Sequence, residues 1–482
     1  MLSDIAGISK SIRRQEMHET TTKEMSPMTR QIAKFALTLV VLFVGGGCLW
    51  VISGGWGLSE PARVAFVMLV VAAGLWITEA VPLFVTSFSI LYLSIVWLQP
   101  VIADDKVTNT LFLAPFFSDI ILLFLGGFVL SAALHKFHLD EQMARWIIRR
   151  SGGSLPRLMF GVMAVTAFLS MWLSNTATAA MMLSLILPIV KEFPAGTPAR
   201  KGLVLSIPFA ANAGGLGTPI GSPPNAIAMR YMQELGNEPT FGTWMRVGVP
   251  LVILVVIIAW GVLRVVYRVR GNLENISCEP LRLTFSPGIV LVVLGTLATI
   301  IGWLTGGYHG FSPGTVSLIP LILFFGTGIL NVRDLRNLSW DVLLVMGGGL
   351  CLCTAMSVSG LASWVVEQLP TDRFELYGVM VVFGVLACFM SSVMSNTATA
   401  NLIMPIVLGL SITPLTPVLV GVAFACSLAM ALPISTPPNA MAFASGELKT
   451  TDMLKPGLVL TVVGVALAYT VGYWWWDLIG LF

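Results

Sequence analysis

One polar motif occurs twice in otherwise apolar parts of the chain. Residues 174–179 and 395–400 both read Ser-Asn-Thr-Ala-Thr-Ala. If such a motif begins a helix inside a membrane, its free backbone N–H groups and the positive end of the helix dipole favour an anion. The asparagine amides and the hydroxyls add further donors. Small polar residues also hold membrane helices together, but a symmetric pair of motifs favours two turns that each bind one carboxylate.

A second motif, with paired prolines and an asparagine, also occurs twice. Residues 221–228 read Gly-Ser-Pro-Pro-Asn-Ala-Ile-Ala, and residues 435–442 read Ser-Thr-Pro-Pro-Asn-Ala-Met-Ala. Prolines within an apolar run break a helix and free backbone carbonyls. Freed carbonyls beside asparagine and serine oxygens are ligands that suit Na⁺. A simple helix kink is the alternative, but the repetition favours a cation site at each motif.

Charged residues are absent around both motifs. No Asp, Glu, Lys, Arg or His lies within residues 158–190, 202–229 or 376–446. A divalent anion bound there would lack a protein countercharge, so bound cations are its natural substitute. Proton-coupled transport is disfavoured, because it needs titratable groups inside the membrane. The sequence has no P-loop, no metal-binding histidine cluster and no Ser-His-Asp candidate near the motifs, so an enzyme is not predicted.

The composition is that of a membrane protein. The 482 residues are 56% hydrophobic and 11% charged, whereas about 25% of the residues in a soluble domain are charged. The chain is long enough for about ten or more crossings of roughly 20 residues each. A net charge of +3 is too small to indicate a nucleic-acid partner. The cysteines lack C-x-x-C spacing and mostly lie in apolar runs, which predicts buried thiols.

Charge-free stretches predict the helices that position the motifs. The predicted helices are 35–53, 63–78, 83–98, 120–135, 203–229, 247–268, 287–304, 315–331, 341–359, 416–446 and 456–479. Two further stretches, 157–190 and 376–411, are each interrupted by a Ser-Asn-Thr motif.

The distribution of Lys and Arg predicts the orientation of these two stretches. Residues 136–157 and 191–201 are both basic, so 157–190 should enter and leave on the cytosolic side as a re-entrant hairpin. By the same reasoning 376–411 enters and leaves on the outside. The polar residues 1–34 are then a cytosolic tail, and the C-terminus is external, with three tryptophans in an interfacial belt. Two halves of opposite orientation form an inverted repeat, which is typical of secondary transporters.

The doubled motifs resemble those of the divalent anion/sodium symporter family, the INDY-type dicarboxylate carriers, over roughly residues 35–479. The resemblance implies an all-α polytopic membrane protein with about eleven transmembrane helices, two re-entrant hairpins in an inverted repeat, a homodimer and elevator-type alternating access. It implies scaffold helices at 35–135 and 283–359, and transport-domain helices at 157–268 and 376–479. A bacterial member would lie in the inner membrane.

The resemblance also implies which residues form each site. The first sodium site would use Ser170, Ser174, Asn175 and Gly221, and the second Ser391, Met394, Ser395, Asn396 and Ser435. Backbone carbonyls would serve at Gly221, Met394 and Ser435. The substrate would contact Ser174, Asn175, Thr176, Ser222, Ser395, Asn396, Thr397, Thr436 and Pro437. Residues 434–438 read Ile-Ser-Thr-Pro-Pro where many sodium-coupled members have Val-Ala-Thr-Pro-Pro, but a carbonyl ligand survives that change.

The predicted function is Na⁺-coupled import of C4-dicarboxylates such as succinate, malate and fumarate. The alternative is a sodium-independent dicarboxylate exchanger, or a carrier for citrate or sulfate. A channel or a membrane-embedded enzyme is a third class. Flux that saturates with substrate would disfavour a channel, and an enzyme would have to form a product. The expected partners are the dicarboxylate, Na⁺ as the co-transported ion, membrane lipid and a second copy of the chain, with no nucleic acid.

Overall fold

The computed structural model describes residues 27–102, 104–150, 154–194, 196–236, 239–271, 286–368, 375–410 and 414–481. The regular elements in these ranges are helices. In chain order they are α1 (Pro27–Ser53), α2 (Glu60–Thr78), α3 (Leu83–Val101), α4 (Asn109–Leu113), α5 (Asp119–Lys136), α6 (Leu139–Arg150), α7 (Leu155–Ser170), α8 (Asn175–Lys191), α9 (Pro198–Gly214), α10 (Pro223–Glu234), α11 (Phe241–Val266), α12 (Pro287–Leu304), α13 (Gly306–His309), α14 (Pro313–Gly326), α15 (Val332–Arg336), α16 (Trp340–Val358), α17 (Leu361–Gln368), α18 (Leu376–Val393), α19 (Asn396–Leu408), α20 (Thr416–Leu428), α21 (Pro437–Ala444) and α22 (Thr450–Leu478).

Eight helical segments in the described ranges are long and apolar enough to cross a membrane. They are α2, α3, α4 together with α5, α11, α12, α16, α18 and α22, and several shorter apolar helices accompany them. The predicted class, an all-helical polytopic membrane protein, is therefore confirmed.

The chain divides into two compact units, residues 1–53 and residues 54–482. Most of the predicted tail, residues 1–26, lies outside the described residues. Helix α1 begins at Pro27 and therefore takes up the last residues of the predicted tail.

Two helices that the hydropathy pattern predicted as continuous are broken. In place of 203–229, α9 ends at Gly214 and α10 begins at Pro223. In place of 416–446, α20 ends at Leu428 and α21 begins at Pro437. Proline is favoured at the first helical position because it lacks an N–H that would be unpaired there. The paired prolines thus begin a new helix rather than kink an existing one.

Each Ser-Asn-Thr motif lies at a turn between two helices, as expected for a hairpin. The asparagine is the first residue of the second helix in both copies, Asn175 in α8 and Asn396 in α19. Helices α7, α8 and α19 have 16, 17 and 13 residues, fewer than the roughly 20 needed to cross a membrane. Helix α18, the first limb of the second hairpin, has 18 residues and is one of the eight segments named above. We call α7–α10 the first repeat and α18–α21 the second repeat.

The two repeats pack crosswise. Helices α7 and α8 pack on α9, and α18 and α19 pack on α20, within each repeat. In addition α8 packs on α21, and α19 packs on α10, so each motif-bearing helix contacts the proline-started helix of the other repeat. Helix α9 can approach α7 closely because Gly214 has no side chain. A Cβ at that position would overlap the backbone of Ala167. This packing places the motif-bearing helices of the two repeats against each other.

Candidate functional site

The first hairpin turn brings together several oxygen atoms. Ser174 caps α8, and its hydroxyl accepts from the N–H of Ala177 at 3.1 Å. The Oγ of Ser170 lies 2.5 Å from Oδ1 of Asn175 and 2.8 Å from the carbonyl oxygen of Ala211 in α9. A serine hydroxyl has one proton and can satisfy only one of these two acceptors. The carbonyl of Ala211 also accepts from the backbone N–H of Gly215 at 3.1 Å. The turn thus gathers oxygen atoms of the kind that a hard cation binds.

The second hairpin turn repeats this geometry. The Oγ of Ser391 lies 2.6 Å from Oδ1 of Asn396 and 2.9 Å from the carbonyl oxygen of Cys426 in α20. Ser391 and Ser170 are both fully buried. Two separate parts of the sequence thus form the same cluster: a serine hydroxyl, the oxygen of an asparagine amide, and a carbonyl from a broken helix.

Gly221, the carbonyl ligand predicted for the first sodium site, lies against this cluster. A Cβ on Gly215 would lie 2.7 Å from Nδ2 of Asn175 and 3.2 Å from the carbonyl oxygen of Gly221, and a Cβ on Gly221 would lie 2.7 Å from the carbonyl oxygen of Gly215. The loop can approach Asn175 this closely because neither glycine has a side chain. Ser170, Asn175 and Gly221 are therefore neighbours.

The residues predicted for the second sodium site lie in two places, the second hairpin turn and the loop that precedes α21. Ser391 and Asn396 are hydrogen-bonded, and Met394 is buried in the turn between them. The hydroxyl of Ser435 donates to the carbonyl of Leu432 at 2.7 Å and lies 3.2 Å from Nδ2 of Asn439. These hydrogen bonds hold Ser435 within its own loop.

The asparagine of each proline motif closes the loop that precedes it. Nδ2 of Asn225 donates to the carbonyls of Gly215 and Thr218, at 2.7 and 2.8 Å. Nδ2 of Asn439 donates to the carbonyls of Met430 and Leu432, at 3.0 and 2.9 Å. Some of the carbonyls freed by the helix break are thus satisfied by the asparagine amide, as buried polar groups must be. The amide nitrogens therefore stabilise the loop, and the binding of a cation by the asparagine oxygens stays a prediction.

The predicted substrate residues differ in exposure. Thr176 is exposed, whereas Thr397 is 9% exposed. Ser395 directly precedes α19, makes no side-chain capping hydrogen bond there, and is partly exposed. In the proline motifs Ser222 and Thr436 are buried, and Pro437, the first residue of α21, is exposed.

Two residues outside the motifs connect the repeats, and the sequence reasoning missed both. Asn212 in α9 donates from Nδ2 to Oγ1 of Thr436 and to Oδ1 of Asn439, at 3.1 Å each. Ser427 in α20 lies with its Oγ 3.1 Å from Oγ of Ser222. Asn212 and Ser427 are each 1% exposed. The available signal was that both are polar residues in largely apolar helices.

The site is neutral, since its helices carry no charged residue near the motifs. The described residues also contain no group of three or more His, Cys, Asp and Glu side chains that could hold a metal ion. What the site offers is oxygen acceptors for a hard cation, together with hydroxyls and the first N–H groups of α8 and α19 for an anion.

Comparisons with known proteins show that the chain is similar to transporters. The family model described as citrate transporter (CitMHS) matches residues 73–412. An uncharacterized transporter of Haemophilus influenzae is 33% identical over 86% of this chain and 93% of its own length. The sodium-dependent dicarboxylate transporter SdcS of Staphylococcus saprophyticus is 31% identical over 86% of both chains, and that of Staphylococcus aureus is 33% identical over 83% of both. The fold is similar to the crystal structure of the YdaH transporter of Alcanivorax borkumensis, with a TM-score of 0.51 and 13% identity over 86% of this chain and 98% of that one.

Proposed function

This chain belongs to the citrate transporter family, and from that premise we propose that it imports C4-dicarboxylates such as succinate together with Na⁺. It is a multi-pass membrane transporter, not an enzyme. Its staphylococcal relatives are named sodium-dependent dicarboxylate transporters, and that name supports both the substrate class and the coupling ion.

The observation that carries the proposal is the pair of oxygen clusters in a neutral site. Each cluster joins a serine hydroxyl to an asparagine oxygen and a backbone carbonyl, Ser170 with Asn175 and Ser391 with Asn396. Two carboxylates are costly to remove from water unless positive charge accompanies them. With no Lys or Arg beside the motifs, the co-transported sodium ions supply that charge.

Uptake into proteoliposomes tests the proposal. An inward Na⁺ gradient should accelerate the uptake of labelled succinate, and a K⁺ gradient of equal size should not. Unlabelled malate and fumarate should compete, because they present the same two carboxylates. Succinate uptake that is equally fast without sodium, and that requires a dicarboxylate inside the vesicles, would instead identify an exchanger.

Citrate is the second candidate substrate, because the matching family is described as citrate transporters. A citrate or sulfate carrier would show competition of labelled succinate uptake by those anions at lower concentrations than by malate. The same vesicles therefore discriminate the substrates in one experiment.

We further propose the architecture that accompanies this function. Helices at 35–135 and 283–359 form a scaffold, those at 157–268 and 376–479 form a transport domain that moves as an elevator, and two copies associate as a homodimer. The N-terminus is cytosolic and the C-terminus external. The crosswise packing of the two repeats supports a transport domain that moves as one body.

Cysteine labelling tests the orientation of the hairpins. Single cysteines in place of Arg157 and Glu192, which flank the first hairpin, should both react with a membrane-impermeant maleimide from the cytosolic side. Cysteines in place of Glu375 and Thr413, which flank the second hairpin in the sequence, should both react from outside. The positive-inside rule sets this expectation. If the two members of either pair react from opposite sides, that hairpin spans the membrane and the repeat is not inverted.

A further inference from the structure

The side chain of Asn212 has one possible orientation in its hydrogen-bond network. Asn439 directs its Nδ2 at the carbonyls of Met430 and Leu432, so its Oδ1 faces Asn212. An oxygen of Asn212 in that position would face another oxygen, and only Nδ2 can donate there. The same Nδ2 lies 3.1 Å from Oγ1 of Thr436, so Asn212 is a donor to Thr436.

Thr436 thereby has both of its lone pairs in use. Its Oγ1 accepts from Nδ2 of Asn212 at 3.1 Å and from the backbone N–H of Asn439 at 3.3 Å. A hydroxyl oxygen has two lone pairs and one proton. The hydroxyl proton is left for a further acceptor, whereas a cation would need a lone pair that is already bonded.

We propose that Asn212 is a positioning residue for the anion site. By donating to Oγ1 of Thr436, Asn212 leaves the Thr436 hydroxyl to donate its proton to a bound carboxylate. It acts across the repeats, because Asn212 lies in α9 of the first repeat and Thr436 begins α21 of the second. The inference rests on the proposed function and adds to it the direction of one hydrogen bond to the substrate.

The proline motif of the first repeat has no hydroxyl whose donor role is fixed in this way. Ser222 occupies the position that corresponds to Thr436, and its Oγ pairs with Oγ of Ser427, where either hydroxyl can be the donor. Oδ1 of Asn225, the counterpart of the Asn439 oxygen, is buried without a hydrogen-bond partner among the described residues. The two ends of the site are thus chemically different: a fixed donor at Thr436 and a reversible pair at Ser222.

A double-mutant cycle tests the inference on the purified full-length protein. Succinate affinity is measured by calorimetry at saturating sodium for wild type, Asn212→Ala, Thr436→Val and the double variant. Each single substitution should weaken binding about tenfold, the effect of losing one charge-assisted hydrogen bond. The double variant should be no weaker than Thr436→Val alone, because Asn212 acts through that hydroxyl. Thr436→Ser keeps the hydroxyl and should weaken succinate binding less than Thr436→Val does.

Ser427→Ala is the matched control, because Ser427 contacts the other hydroxyl. In the double variant Ser427→Ala/Thr436→Val, the fold-loss in succinate affinity should equal the product of the two single fold-losses, as expected for independent sites. Sodium affinity without succinate should stay within about twofold of wild type in Asn212→Ala, which a disrupted fold would not allow.

Two results would overturn the inference while leaving the proposed function intact. One is unchanged succinate affinity in Asn212→Ala. The other is an equal loss from Asn212→Ala in the wild-type and Thr436→Val backgrounds. If Asn212→Ala does not fold, Asn212→Ser, which keeps a small polar side chain, replaces it in the same cycle. A wild-type protein that binds none of succinate, malate and citrate would refute the proposed function, and this inference with it.

Discussion

Succinate should bind to the purified protein about a hundredfold more weakly in choline chloride than in sodium chloride at the same ionic strength. The cause is the neutral site: its donors are hydroxyls, amides and helix N-termini, and no Lys or Arg lies in residues 158–190, 202–229 or 376–446. Without sodium, two carboxylates lose their hydration and gain no countercharge. A hundredfold change lies at the upper end of the coupling of about 1–3 kcal/mol usual between two sites.

Thermodynamic linkage gives this prediction a second measurement. If sodium raises succinate affinity by a given factor, succinate must raise sodium affinity by the same factor. Titrating the protein with sodium, in the presence and in the absence of succinate, measures this factor independently. Ser170→Ala and Ser391→Ala each remove one hydroxyl from a sodium cluster and should lower sodium affinity. Equal succinate affinity in the two salts would contradict the symporter and favour the exchanger.

The helical class of this protein was predictable because it follows from composition and local pattern. A charge-free run that is longer than the membrane is thick can form only helices or structure buried in protein. The regular elements among the described residues are helices, as expected. The start of α8 at Asn175 was also predictable, since serine before a helix is a favoured cap. Hydropathy alone missed the amphipathic helix α6, where Arg145 pairs with Glu141 at 2.7 Å one turn away.

The contacts between helices, both within and between the repeats, were not predictable from the sequence. The motifs indicate which oxygens are available, but the pairing of Ser170 with a carbonyl of α9 depends on how α7 packs there. Asn212 shows the difference most clearly. Its type predicts only that a buried amide needs partners, and the partners, Thr436 and Asn439, come from the other repeat.

Replacing Asn175 by aspartate should nearly abolish succinate binding while sodium binding persists or strengthens. Aspartate has the shape of asparagine, but it is ionised and accepts hydrogen bonds only. Its oxygen would lie where Oδ1 of Asn175 now meets Oγ of Ser170 at 2.5 Å, so the cation cluster gains negative charge. A carboxylate about 6 Å away would be repelled by about 3 kcal/mol at an effective dielectric constant of about 20, roughly a hundredfold in affinity.

Two variants separate the charge from the lost donor. Asn175→Ala removes the amide without adding charge and should weaken both succinate and sodium binding. Asn396→Asp places the same charge in the second turn, where Ser391 lies 2.6 Å from the asparagine oxygen, and should reproduce the effect of Asn175→Asp. Calorimetric titrations with sodium and with succinate give both affinities for each variant. Added negative charge should raise the affinity for sodium and lower the affinity for succinate. If both affinities fall in Asn175→Asp and Asn396→Asp, these asparagines only hold the turns together. Succinate binding at wild-type strength in either variant would place the anion elsewhere in the protein.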